Sequence, residues 1–237
     1  MLKERVASRE ELAAAEMHSK AKIVYSLNLS GDLRDVEFAG QMVTTGYFKE
    51  PVERSVKARI LGLDGDAQGD LKAHGGAEKA VCFYPREHYA VWERLLGTGS
   101  LPTGSFGENV TSEGFSESDL CIGDLLRVGS AVLQVRQPRH PCYKLQFKFR
   151  RSDMVALFVK EGLPGWYTSV VQEGSFTRGD EIVVVSRAPE GISVADIWRY
   201  SFGLESDSAM LDRIVELELL PSFWKERVAM HRTNLRN

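Results

Sequence analysis

Cysteine is scarce in this 237-residue chain, which has only Cys82, Cys121 and Cys142. Three thiols at wide spacing build neither a disulfide framework nor a paired CxxC zinc site. A surplus of one charge is missing as well. Lys and Arg number 30 against 33 Asp and Glu, a formal charge of -3, so the basic excess of a nucleic-acid coat or an electrostatic membrane binder is absent. No window approaches the ~20 apolar residues of a membrane span. Residues 1–22 interrupt their alanines with Lys3, Glu4, Arg5, Glu10, Glu11 and Glu16, where a secretory signal needs an unbroken apolar stretch. HExxH, GxSxG and P-loop spacings are missing too. These absences predict a cytoplasmic protein with reduced thiols and neither a nucleic-acid nor a membrane partner.

What is present is mainly β. Residues 1–22 read as a helical extension, with Ser8 and Glu11 at capping-box spacing. From Ile23 the apolar period becomes two, through Tyr25, Leu27 and Leu29. Further strands are expected over Ser55 to Leu63, Lys79 to Tyr84, Leu125 to Val128, Ala131 to Arg136 and Glu181 to Ser186. Glycine-marked turns such as Gly123-Asp124 and Gly129-Ser130 separate them. Short strands in this arrangement favour a barrel or sandwich. Helices are expected after Pro85 and after a capping Ser152. Beyond Arg187 the period turns helical three times, around Trp198, Ile214 and Trp224. The division expected is an extension at 1–22, a β domain at 23–187 and a three-helix domain at 188–237. Glu216 and Glu218 make its middle helix acidic, which fits packing or dimerisation rather than DNA binding.

Three constellations can carry chemistry. Cys142 lies in Gln137-Pro138-Arg139-His140-Pro141-Cys142-Tyr143-Lys144, where two prolines stiffen a loop at a strand end. Arg139, His140 and Lys144 add nearby positive charge, which favours a thiolate, both a nucleophile and a soft metal ligand. A purely structural thiol fits the same residues. Cys82, in an apolar run, and Cys121, beside a turn, read as small hydrophobes. Second, His74-Gly75-Gly76 with Lys79 offers an oxyanion nest or a plain hairpin turn. Third, Phe106-Gly107-Glu108-Asn109 presents an amide able to read a heterocycle edge or a phosphate.

Taken in order, His74-Gly75-Gly76, Tyr84-Pro85-Arg86-Glu87-His88-Tyr89, Phe106-Gly107-Glu108-Asn109, Ile122-Gly123-Asp124 and Gln137-Pro138-Arg139 through Leu145 resemble the MOSC domain family. That domain is named for the C-terminal part of molybdenum cofactor sulfurases. The match is to its bacterial YiiM-like branch, which carries a small C-terminal three-helix domain. The resemblance implies a distorted β-barrel of the pyruvate-kinase-barrel type holding a molybdenum-pterin cofactor, the molybdenum cofactor, with Cys142 as the metal's thiolate ligand. It places His74, Gly75, Gly76 and Asn109 beside that cofactor. Charge and proximity add Lys79, Arg139 and Lys144 as cofactor contacts, and side-chain type adds His74 and His140 as proton donors. The implied activity is an oxidoreductase that reduces N-hydroxylated compounds, such as N-hydroxylated purine bases, in detoxification. With no flavin or nicotinamide fingerprint, an external electron donor protein is expected. The alternatives are a cofactor carrier or sulfur-transfer module using Cys142, or a cofactor-free protein acting through its helical appendage. A homodimer is a further expectation.

Overall fold

The computed structural model describes residues 21–69 and 75–236. Its first strand, β1 (Ile23–Leu29), buries all of its last four residues, because it lies inside a sheet rather than at an edge. After β1 come β2 (Arg34–Phe38), β3 (Gln41–Thr45), β4 (Glu50–Pro51), β5 (Val56–Arg59) and β6 (Gly62–Leu63). Then follow β7 (Val81–Pro85), β8 (Val110–Glu113), β9 (Leu125–Val128), β10 (Ala131–Pro138), β11 (Trp166–Gln172), β12 (Gly174–Phe176) and β13 (Ile182–Ser186). Eight of them form one sheet in the order β13-β9-β10-β11-β7-β8-β1-β4. All its pairings are antiparallel except β7 with β8.

The sheet curls until its ends meet. Ile23 bridges Glu181, and the Ile182 amide donates to the Lys22 carbonyl at 2.7 Å. This is the distorted barrel expected from the resemblance. Its interior is filled by alternating side chains of β10 (Ala131, Leu133, Val135) with Leu126, Val128, Phe83 and Trp166, as a small barrel requires. Register shifts in β1, β10, β11 and β13 distort it.

Two expectations need correction. Ser55 to Leu63 is a hairpin, β5 against β6, because the chain turns back at Ile60 and Leu61. The helix expected from a Ser152 cap begins after Asp153 instead, with no side-chain capping bond. The sequence pattern also leaves unmarked the hairpin β2–β3, the strands β4, β8, β11 and β12, and the short helix α2 (Lys144–Phe149), which immediately follows the Cys142 loop. The other helices are α1 (Tyr89–Leu96), α3 (Met154–Glu161), α4 (Val194–Ser201), α5 (Ser208–Glu216) and α6 (Ser222–Arg236).

The last three helices pack on Trp198, Leu211, Ile214, Trp224 and Val228. Ser193 opens α4 through a reciprocal capping box with Asp196. Trp224 of α6 donates its indole N–H to Gln137 of β10 at 3.1 Å, a buried bond that fixes the helices on the barrel next to the Cys142 loop. The extension expected at 1–22 lies outside the described residues, apart from Ala21 and Lys22. Among the described residues no helix is long and apolar enough to cross a membrane.

Candidate functional site

β10 ends at Pro138 and α2 begins at Lys144, so Arg139 to Tyr143 span one stiff connection at the mouth of the barrel. Pro141 is buried, Cys142 half-buried and Tyr143 exposed, which turns the thiol toward a cleft of about 630 Å³ including its open mouth. Five other stretches reach the same cleft: residues 45–49 after β3, residues 66–69, Lys79 with Cys82, Gly107 with Asn109, and Tyr167.

Positive charge concentrates here, from Lys49, Lys79, Arg139 and Lys144. Arg139 is 4% exposed. One of its Nη atoms donates to the Tyr47 hydroxyl at 3.1 Å, and its guanidinium lies 5.7 Å from the ring centroids of Tyr47 and Phe158. The other Nη atom is buried with no hydrogen-bond partner. Burial is the largest influence on its charge and opposes it. Burial pushes the Tyr47 and Tyr167 phenols upward, so both keep their protons and neither neutralises the guanidinium. A buried cation without an anion is costly. The site is therefore built to receive negative charge. The buried Gln68 Oε1, in the same wall, is also without a partner.

Lys49 is handled differently. Its ammonium contacts both carboxylate oxygens of Asp66 at 2.5 Å, with the two side chains 8% and 3% exposed. Asp66 also accepts from the Ser30 amide and from Asn109 Nδ2, each at 2.8 Å. Asn109 in turn accepts the Cys82 amide at 3.1 Å. Asn109 thus lines the cleft as expected, but both ends of its amide already serve to lock β7, Asp66 and its own loop together.

The neighbouring Glu108 carries that loop from inside. Its buried carboxylate accepts from the Gly104 amide at 2.9 Å, the Phe106 amide at 3.1 Å, the Thr111 hydroxyl at 2.8 Å and the Tyr89 hydroxyl. Gly107 holds a φ of +76°, and a Cβ there would stand 3.0 Å from the Tyr47 ring. Glycine is what lets Tyr47 lie flat against the loop.

His140 packs its ring against Phe223 (5.0 Å, edge-on), Trp224 (5.9 Å) and Phe202 (6.3 Å). Burial, then the Arg227 charge, holds its pKa below the usual histidine value. Burial lifts the Cys82 thiol to about 11, so it is a neutral packing group, although it forms part of the cleft wall. Cys121 also sits higher than usual, through burial and then Asp124, and lies away from this cleft.

The structure thus brings Lys79, Asn109, Arg139, His140, Cys142 and Lys144 to one place. Gly75 and Gly76 do not line the cleft; they form the turn before a 3-10 segment at Ala77–Lys79, with Gly76 at φ +94°. His74 lies outside the described residues. Sequence reasoning missed Tyr47, Lys49 and Asp66. Asp66 had left one signal, the Asp64-Gly65-Asp66 turn, which reads equally well as a plain bend.

The chain is similar in sequence and in fold to known proteins. A model of the MOSC domain matches residues 70–183. Protein YiiM of Escherichia coli (strain K12) is 35% identical over 186 residues, covering 78% of this chain and 83% of that protein. The crystal structure of YiiM from Geobacillus stearothermophilus superposes with a TM-score of 0.73 at 31% identity, covering 89% of this chain and 99% of that one. A reductase of Gibberella moniliformis is 30% identical over 185 residues, 77% of this chain but 32% of its own length.

Proposed function

The chain belongs to the MOSC domain family, and from that premise we propose that it is a molybdenum-cofactor-dependent oxidoreductase that reduces N-hydroxylated compounds, with N-hydroxylated purine bases as the substrate class. The observation that carries this reading is the buried Arg139 guanidinium, with one nitrogen unpartnered, beside the half-buried free thiol of Cys142. A phosphate-bearing pterin cofactor needs an anion site and a soft metal ligand side by side, and those two residues supply them. MOSC domains are in general associated with that cofactor.

Cys142 would hold the molybdenum as its thiolate ligand. Arg139, Lys144 and Lys79 would hold the phosphate and pterin oxygens. Asn109 and Asp66 would act at one remove, keeping the cleft wall and Lys49 in register. When bound, the cofactor supplies the two-electron redox chemistry, converting R–NHOH with two electrons and two protons to R–NH2 and water. The protein's part is to orient the substrate and manage protons. His140, with its pKa held low, is the uncharged ring at neutral pH and suits proton relay better than fixed charge. Electrons would come from a separate donor protein.

The test is metal and pterin analysis of protein made in a cofactor-competent host, for wild type and Cys142→Ala. Stoichiometric molybdenum is expected in the first and loss of it in the second; retention in Cys142→Ala refutes the ligand assignment. Loaded wild-type protein with a chemical reductant should cleave the N–O bond of a hydroxylamine. Molybdenum without turnover would favour a carrier or sulfur-transfer role for the same cysteine.

A further inference from the structure

Among the described residues, the large hydrophobic side chains left exposed are aliphatic or methionine with two exceptions, Tyr143 at 43% and Phe223 at 47%. Both line the same second cleft, between the barrel and the start of α6. That cleft shares Lys79, His140, Cys142 and Tyr167 with the first, so it leads directly to the thiol.

Neither ring is loosely held. Phe223 precedes Trp224, which is fully buried and bonded to Gln137, and it meets the His140 ring edge-on. Tyr143 stacks on Phe38 at 5.6 Å and 28°. Each therefore presents ring surface from a fixed support, one from the helical domain and one from the Cys142 connection. Exposed, pre-positioned aromatic surface beside a reactive group is the mark of a binding site, since its burial by a partner ring is favourable and carries little ordering cost. The rim adds the exposed carboxylate of Glu218 and the hydroxyl of Ser222, which can meet the N–H groups of an amino-substituted heterocycle.

We propose that this outer cleft is the substrate site, that Phe223 and Tyr143 set its specificity, and that it selects planar aromatic or heteroaromatic N-hydroxylated compounds over saturated ones. The proposal rests on the reading above for the chemistry at Cys142, but not for the preference itself.

The experiment is calorimetric titration of the full-length, cofactor-loaded protein, without reductant, with benzohydroxamic acid and with its saturated counterpart, cyclohexanecarbohydroxamic acid. Stacking of a ring on an aromatic side chain predicts that the planar probe binds at least about fivefold more tightly. Phe223→Leu and Tyr143→Leu should each erase most of that difference while leaving the saturated probe's affinity in place, and Phe223→Trp should preserve it. Equal binding of the two probes, no measurable binding of either, or an equal loss for both in the leucine variants overturns the proposal. Because no turnover is needed, planar preference without N–O cleavage would sink the reductase reading alone. Equal reduction of both probes with no preference in binding would sink this one alone.

Discussion

Replacing Asp66 by Asn should destabilise the protein severely, and removing Lys49 as well should add little or no further loss. Asp66 accepts three donors: the Lys49 ammonium, the Ser30 amide and Asn109 Nδ2. An asparagine offers one acceptor oxygen to the three and aims its own N–H2 at donors. It also strands the Lys49 charge where only 8% of that side chain reaches solvent. Breaking one side of a buried pair costs about 3–5 kcal/mol. Lys49→Met leaves Asp66 with its two amide donors, a softer loss of about 2–3 kcal/mol. In the double variant neither charge of the pair remains, so the two single effects should exceed the double by about 2–4 kcal/mol. Urea unfolding followed by fluorescence reports this well, because Trp92, Trp166, Trp198 and Trp224 are all fully buried. With a slope of about 2 kcal/mol per molar urea, Asp66→Asn should lower the midpoint by roughly 2 M. Additivity within about 0.5 kcal/mol, or a single-variant loss below about 1 kcal/mol, would refute the claim that this pair anchors the cleft wall.

Two further outcomes can be checked in the same preparation. Gly107→Ala forces a Cβ to within 3.0 Å of the Tyr47 ring at a φ of +76°, a strain of about 1–2 kcal/mol that should lower Tm by about 2–8 °C and reduce cofactor retention through the Tyr47–Arg139 bond; Gly99→Ala, with open space around it, should change neither. His140 has a folded-state pKa below its unfolded value, so the unfolded chain takes up its proton first as the medium acidifies. Its contribution to stability is full above about pH 6.5 and is lost as pH falls from there through the folded value. His140→Gln should flatten the urea-midpoint profile across that window, and an unchanged profile would show that the ring is not held neutral.

Legibility from sequence followed burial. Strands with one face in the barrel, such as β1, β9 and β10, write an apolar period of two into the chain and were read nearly to their ends. The hairpin β2–β3 buries little besides Thr45, so it leaves no such period. Helix α2 misleads more actively: Leu145, Phe147 and Phe149 alternate like a strand. Leu145 enters the core, and Phe147 packs among Phe38, Phe48 and Tyr143; those contacts override the local period. In β11 the buried positions are Trp166, Thr168 and Val170, and the polar Thr168 hides the alternation. The cleft was legible where its chemistry is local, as in Arg139 to Lys144. Tyr47, Lys49 and Asp66 come from segments with no chemical neighbours in sequence, and only the folding of β3 and the 66–69 segment against β7 makes them one wall.

That wall explains how a chain of nearly balanced charge builds a cationic site. Four cations meet at the barrel mouth, and their mutual repulsion would be prohibitive if none were answered. Asp66 answers Lys49 from within the fold, converting it into a strut that also holds Asn109. No carboxylate is paired with Arg139 among the described residues, where a phenol and two aromatic faces support it instead. The two charges thus divide the labour: one is spent on architecture and the other is reserved for a ligand. An anion that satisfies Arg139 binds the folded state and not the unfolded chain, so loading and stability are thermodynamically linked. The same linkage makes Arg139 the residue whose neutral replacement should stabilise the ligand-free protein while weakening its hold on the anion, a combination that a merely structural arginine would not produce.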